Sequence, residues 1–249
     1  MIRRTIRPPR VSSILQNMPQ VQFNPTFLAN WGRIWLSSTG RPNNCFNKKQ
    51  GMDFVKEVID PAIANALSQM LGSIPIKASV KDSLLPPEPN CIELGDTKVI
   101  GGVRPQNYDL AYRPDGLRIA YDSKTLNDKK SIKKNWQNMI NDLATEATTI
   151  HTRFPYAIVI FLVIVPKQAL QASQEFDIIR TLERMATRKS VLDQAHLAEA
   201  ISFVVWDAEL GIIDTAVPPA SSNLRIEKLP EIYPIYLERY KGLPPHDRS

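Results

Sequence analysis

The chain has 249 residues, of which 43% are hydrophobic, and a formal net charge of +6. This length suits one domain with additions or two small domains, and the hydrophobic content is sufficient for a buried core. The longest apolar run, residues 157–165, is less than half the length of a membrane-spanning helix, which needs about 20 residues. No apolar stretch of a signal peptide follows the basic N-terminus. We therefore expect a cytoplasmic protein that has no membrane partner.

The cysteine and glycine patterns exclude two common classes of site. Cys45 and Cys91 are the only cysteines, neither belongs to a CxxC pair, and the chain has three histidines, so no zinc site is predicted. The chain also lacks the glycine-rich patterns that bind nucleotide phosphates. We therefore expect no nucleotide cofactor.

Basic residues are concentrated at the N-terminus. Residues 1–50 contain no Asp or Glu, so the rest of the chain sums to a net charge of −2. Such asymmetry is typical of chains that bind a nucleic acid or a membrane surface, and of these two we expect the nucleic acid as partner. For residues 1–10, a solvated tail that keeps the protein soluble is the alternative. The basic residues of the segment are Arg3, Arg4, Arg7, Arg10, Arg33, Arg41, Lys48 and Lys49.

Two helices are predicted in the N-terminal third. The first begins at Asn24 and Pro25, because Asn caps free N–H groups and Pro fits the first turn, and it should continue for about 12 residues. Its apolar residues recur at helical spacing and are expected in the core: Phe27, Leu28, Trp31 and Trp35. The second helix is expected near Met52, and Pro61 should kink or restart it.

Strand and helix patterns alternate along the rest of the chain. Strands are predicted at residues 91–100, 108–113, 117–126, 157–165 and 200–206, and helices at 131–152 and 174–189. This alternation predicts an α/β fold with a mixed, partly parallel sheet flanked by helices. We divide the chain into a basic N-terminal arm and helix (1–50), a core (51–215) and a proline-rich C-terminal extension (216–249) that has little pattern.

The two middle strands should form a hairpin that carries two acids. The segment RPDG, residues 113–116, has Pro and Gly at the positions that a type I turn prefers. Because side chains alternate across a strand, an even loop places Asp109 opposite Ala120 or Asp122. Either register brings the two carboxylates together on one face of the sheet.

Close carboxylates repel each other across a sheet, so this face should bind a cation. Mg²⁺ prefers one or two carboxylates and otherwise keeps waters and phosphate oxygens. Lys124 lies about 6.6 Å beyond Asp122 along the same strand and shares its face. The lysine should therefore face a water or phosphate at the metal. A solvated sheet edge with a Lys–Asp pair is the alternative.

Asp109, the short hairpin and Asp122-Ser123-Lys124 resemble the PD-(D/E)xK nuclease superfamily, most closely a type II restriction endonuclease. The resemblance implies a restriction-endonuclease-like core, over roughly residues 51–206. It also implies that Asp109, Asp122 and the carbonyl of Ser123 ligate Mg²⁺ and that Lys124 orients the attacking water. The pattern departs from the family because Tyr108 precedes Asp109 where the family has Pro.

An acid on the helix before the hairpin often joins the site in this family. Glu57 is the candidate on this chain, with Asp53 behind it. The implied activity is Mg²⁺-dependent hydrolysis of phosphodiester bonds in double-stranded DNA at a specific sequence, and cutting both strands requires a homodimer. Alternatives are a non-catalytic DNA-binding protein, a repair or junction-resolving nuclease of the same fold, and an RNA-directed nuclease.

Several basic and amide side chains are candidates for contacting DNA. Arg, Asn and Gln can read base edges, whereas Lys contacts phosphates. An ordinary polar turn explains the loop at residues 40–50 as well, and solvated side chains explain the lysines after the hairpin. Apart from the N-terminal arginines, the candidates are Arg41, Asn43, Asn44, Lys48, Lys49, Lys129, Lys130, Lys133 and Lys134.

Overall fold

A computed structural model describes residues 18–38 and 44–245. Its N-terminal part is helical: α1 spans Pro25–Leu36, α2 spans Lys48–Phe54, a π-helical turn spans Val55–Ile59, and α3 spans Asp60–Met70. No helix within the described ranges is both long enough and apolar enough to cross a bilayer.

Seven strands form one sheet in which each strand lies beside its neighbour in sequence. The strands are β1 (Ile76–Ala78), β2 (Ile92–Ile100), β3 (Pro105–Tyr112), β4 (Ile119–Thr125), β5 (Ile158–Pro166), β6 (Ala200–Asp207) and β7 (Ile212–Ile213). The helices that follow the hairpin are α4 (Ile132–His151), α5 (Ala172–Met185) and α6 (Ile232–Arg239).

The sheet is mixed, as predicted. Strands β2, β3 and β4 are antiparallel, whereas β4, β5 and β6 are parallel and are connected through α4 and α5. Every residue of β5 is buried, which is typical of a central strand covered on both faces. The prediction of an α/β fold with helices flanking a mixed sheet is confirmed. The sequence missed β1 and β7, because strands this short leave no period to read.

Helix α1 packs into the same core as the sheet. Leu28, Trp31 and Trp35 are buried in that core, as predicted. The prediction was wrong for Phe27, which is 43% exposed, because it lies beside the buried stripe. Gly32 permits the close packing, since a Cβ at this position would lie 2.0 Å from the carbonyl oxygen of Ala208.

Helix α2 begins earlier than the sequence pattern indicated. Asn47 caps it: its side chain accepts from the N–H of Gln50, and the Gln50 side chain accepts in return from the N–H of Asn47. Pro61 lies in the first turn of α3, directly after the π-helical turn, so it restarts the helix as predicted. A proline is tolerated there because its missing N–H has no role in the first turn.

The C-terminal segment has more structure than its composition indicated. A 3₁₀ helix at Ile226–Glu231 continues into α6, and Tyr236 is fully buried. Arg239 donates to the buried carboxylate of Glu199 at 2.7 Å, which fixes α6 on the core. The spacing of Ile232, Tyr236 and Tyr240 by four residues was the overlooked signal.

Candidate active site

The β3–β4 hairpin brings the two predicted acids together. Leu110 pairs with Tyr121, so Asp109 and Asp122 are the next residues outward on the two strands. Both acids line one cleft of about 470 Å³. Of the two registers that the sequence allowed, the structure has the one that places Asp109 opposite Asp122.

Ser123 fixes the orientation of Asp109. Its backbone N–H and its hydroxyl donate to the same oxygen of the Asp109 carboxylate, Oδ2, at 2.9 Å and 2.7 Å. Hydrogen bonds to a charged acceptor are stronger than those between neutral groups. The sequence did not predict this contact, which ties the acid of one strand to the other strand. The metal-ligand role expected for the Ser123 carbonyl stays a prediction.

Asp122 and Lys124 form an ion pair next to this acid. Burial raises the pKa of Asp122 well above its ordinary value, and the negative charge of Asp109 raises it further. Burial by itself would lower the pKa of Lys124, but the charges of Asp122 and Glu146 outweigh it and raise the pKa. The two aspartates therefore repel each other at a place where Lys124 compensates only part of the charge.

Glu146 of α4 is a site residue that the sequence reading missed. Its Oε1 accepts from Nζ of Lys124 at 2.8 Å, and its side chain is 6% exposed. Glu146 lies on the buried face of α4 with Leu143, Ala147 and Ile150. A carboxylate on an apolar helix stripe was the signal that pointed to a buried partner.

The structure does not bring Glu57 to the aspartate pair. Its carboxylate accepts from Nε1 of Trp31 at 3.0 Å, it is exposed, and it does not line the cleft. Asp53, the second candidate, pairs with Lys49 instead. Both acids therefore lie on faces of the α2 and π-helical segment that point away from the cleft.

Asp60 is the acid of this helical region that lies near the pair. It is 2% exposed, and its Oδ1 has no hydrogen-bond partner within the described part of the chain. Burial raises the pKa of Asp60 to about 9, and the charge of Asp109 contributes to the rise. Asp60 begins α3 directly after the π-helical turn, and such turns are frequent at functional sites.

A β-bulge adds another acid to the cleft. The pairing of β2 with β3 shifts between Leu94 and Thr97, and Gly95 adopts a φ of +107°. Asp96, the residue after this glycine, lines the cleft together with Asp109 and Asp122. Bulges often re-aim a side chain next to an active site.

Cations border the same cleft. Lys48 and Lys56 line it, and so do Ser131 and Asn135 at the start of α4. Four exposed lysines cluster at this end of α4: Lys129, Lys130, Lys133 and Lys134. The acids of the cleft are therefore bordered by basic side chains.

The other predicted DNA contacts either do not line the cleft or lie outside the described residues. The carbonyl of Asn44 accepts from the N–H of Lys129 at 3.4 Å, which joins the loop before α2 to the start of α4. Lys49 does not line the cleft, and it is paired with Asp53. The remaining candidates lie outside the described residues: Arg3, Arg4, Arg7, Arg10, Arg41 and Asn43.

The donor set at the floor fits Mg²⁺. Among the described residues, no three Asp, Glu, His or Cys side chains are grouped so that they could hold a metal by themselves. Mg²⁺ does not need such a group, because one or two carboxylates suffice when waters and substrate phosphates complete its shell. Burial and the neighbouring charge of Asp109 raise the pKa of Asp122, so a cation bound at this pair would offset their mutual repulsion.

No family model, no curated protein and no solved structure matches this chain. No relative therefore supports or opposes the resemblance to the PD-(D/E)xK nucleases.

Proposed function

We propose that this protein is a Mg²⁺-dependent endodeoxyribonuclease that hydrolyses phosphodiester bonds of double-stranded DNA at a specific sequence, with a restriction-endonuclease-like core. One observation carries the proposal. Asp109 and Asp122 come from adjacent strands to the floor of a single cleft, and Lys124 is bonded to one of them. Opposed carboxylates can bind a divalent cation, and a lysine beside them can supply positive charge to a phosphate at that cation.

Asp109, Asp122 and the carbonyl of Ser123 would hold the metal. When bound, Mg²⁺ supplies positive charge that polarises the phosphate and lowers the pKa of a water molecule. Ser123 orients Asp109 through its two hydrogen bonds. Lys124 adds a fixed positive charge beside the place where negative charge develops on the phosphate.

The rim of the cleft supports a polyanionic substrate. Lys48 and Lys56 line the cleft, and the lysine cluster at the start of α4 is exposed beside it. Lysines contact phosphates without regard to sequence, so this rim positions a duplex and does not select it. Resemblance to a type II restriction endonuclease implies two further properties. The enzyme selects its sequence, and it acts as a homodimer that cuts both strands.

The test is cleavage of plasmid DNA with Mg²⁺. The wild type should cut at fixed positions. Asp122→Asn and Lys124→Ala should each lower the cleavage rate by about 10²- to 10³-fold or more, the typical effect of removing one electrostatic stabiliser. Ca²⁺ should support DNA binding without cutting. Asp82→Asn is the matched control, because Asp82 pairs with Lys98 and does not line the cleft.

Two outcomes would contradict the nuclease proposal. Wild-type cleavage rates in Asp122→Asn or Lys124→Ala would remove the metal site from the reaction. An intact plasmid across many sequence contexts, with DNA binding retained, would instead favour a non-catalytic DNA-binding protein. Mapping the ends produced on a fully sequenced phage DNA would separate a sequence-specific enzyme from a repair or junction-resolving nuclease.

A further inference from the structure

The ammonium of Lys124 lies between two carboxylates from different parts of the fold. Asp122 is on the same strand, β4, whereas Glu146 is on α4 and accepts from Nζ at 2.8 Å. Asp122 lines the cleft, but Glu146 does not. Lys124 is thus bonded on one side to a candidate metal ligand and on the other side to an acid outside the cleft.

Helix α4 packs the face that carries Glu146 against the core. Leu143, Ala147 and Ile150 on the same face are fully buried. The backbone carbonyl of Glu146 also accepts from the hydroxyl of Tyr108 at 3.2 Å, and Tyr108 directly precedes Asp109 on β3. The position of the Glu146 carboxylate is therefore fixed relative to the strand that carries the first acid.

A buried carboxylate is unfavourable unless it is paired, so Glu146 and Lys124 depend on each other. Glu146 also has unused capacity, since its Oε2 is buried and accepts no hydrogen bond from the described residues. A lysine ammonium has three N–H donors. Glu146 can therefore accept a second N–H of Lys124 when Asp122 no longer accepts one.

We propose that Glu146 is a positioning residue that holds Lys124 beside the cleft while Asp122 binds a divalent cation. The inference rests on the proposed function, which gives Asp122 two competing partners, the cation and Lys124. Without Glu146, a cation at Asp122 would leave Lys124 with no other carboxylate partner among the residues that the structure describes. With Glu146, the lysine stays ordered in both states.

The direct test observes the Lys124 ammonium by ¹H–¹⁵N NMR in lysine-labelled protein at low temperature. An ammonium held by two carboxylates should give a separate signal, which is assigned by its loss in Lys124→Ala. The signal should persist in the wild type when Mg²⁺ is added. In Glu146→Gln, which keeps the shape but removes the charge, Mg²⁺ should abolish it.

Control variants distinguish a loss of Lys124 positioning from a loss of the folded structure. Asp142→Asn changes an exposed acid of the same helix and should behave like the wild type. Glu146→Asp withdraws the carboxylate by one methylene group and should also lose the signal with Mg²⁺, so it serves if Glu146→Gln does not fold. An equal signal with Mg²⁺ in Glu146→Gln and wild type, or no ammonium signal in the wild type, would overturn the proposal.

A kinetic test distinguishes this inference from the proposed function. Glu146→Gln should lower kcat about 10- to 100-fold, a typical effect of a residue that orients another group, with little change in KM. The same substitution in a Lys124→Ala background should have no further effect. If the wild type cuts no DNA but the NMR pattern is observed, the nuclease proposal fails while the positioning of Lys124 by Glu146 stands.

Discussion

Ser123 donates two hydrogen bonds to one carboxylate oxygen of Asp109, at 2.9 Å from its backbone N–H and 2.7 Å from its hydroxyl. The contact joins β4 to β3 at the place where Asp109 and Asp122 lie opposite each other. It restricts the rotation of the Asp109 carboxylate, so the orientation of the carboxylate oxygens is set by the protein itself.

Ser123→Ala should therefore raise the Mg²⁺ concentration needed for half-maximal cleavage. The variant keeps the backbone N–H donor but loses the hydroxyl. A hydrogen bond to a charged group contributes about 1.5–3 kcal/mol, and we expect the lower end because Asp109 is partly exposed. Ser123→Thr, which retains a hydroxyl, should stay close to wild type. An unchanged Mg²⁺ requirement in Ser123→Ala would show that the hydroxyl does not orient Asp109.

Lys48 and Lys49 are neighbours with different environments, which makes them a matched pair. Lys48 lines the cleft, whereas Lys49 is paired with Asp53. Lys48→Gln should flatten the slope of log affinity against log salt by about 1, the effect of losing one phosphate contact. Lys49→Gln removes the same charge and should change the slope less. Equal effects would mean that net charge, and not the cleft, governs binding.

Asp60 should make stability depend on pH. Its pKa is about 9 in the fold, against an ordinary value of 3.8. Between these values the folded state holds a proton that the unfolded state has released, so the free energy of unfolding falls as pH rises through this window. The contribution is at most about 1.4 kcal/mol per pH unit.

Asp60→Asn replaces the titrating carboxyl group with an amide that does not titrate. Relative to the wild type, the variant should become progressively more stable from pH 4 to pH 9 in denaturant titrations with EDTA. The charges that act on Asp60 are Asp109 and Asp96, which raise its pKa, and Lys56, which lowers it. A difference in stability that is constant across this range would contradict the buried, protonated state of Asp60.

Gly32 should tolerate no side chain. A Cβ there would lie 2.0 Å from the carbonyl oxygen of Ala208, so Gly32→Ala must push α1 away from the core and should cost about 1–3 kcal/mol, the usual range for overpacking. Gly51, in α2, is the control, because a Cβ there would meet the Asn127 side chain at 3.4 Å, an ordinary contact distance. Gly51→Ala should stabilise by about 0.5–1 kcal/mol through helix propensity. Thermal unfolding measures both changes.

The sequence by itself determined most of the longer helices and strands and the acidic hairpin, but not β1, β7 or α6. The α/β alternation, the start of α1 at Asn24 and the shared face of Asp109 and Asp122 all follow from local rules. A helix repeats every 3.6 residues, a strand every two, and a proline–glycine turn reverses the chain. Such rules act over a few residues, so they can be read without knowing what packs where.

Only the tertiary structure decided which other acids surround the pair. Glu57 and Asp60 lie on the same helical region, but the π-helical turn and the packing of Trp31 turn Glu57 away and bury Asp60 near Asp109. Glu146 reaches Lys124 because α4 packs against the sheet 22 residues after the lysine. The distance between groups far apart in sequence depends on how whole helices and strands pack. Local sequence patterns do not specify this packing, so they could not identify Asp60 and Glu146 as neighbours of the pair.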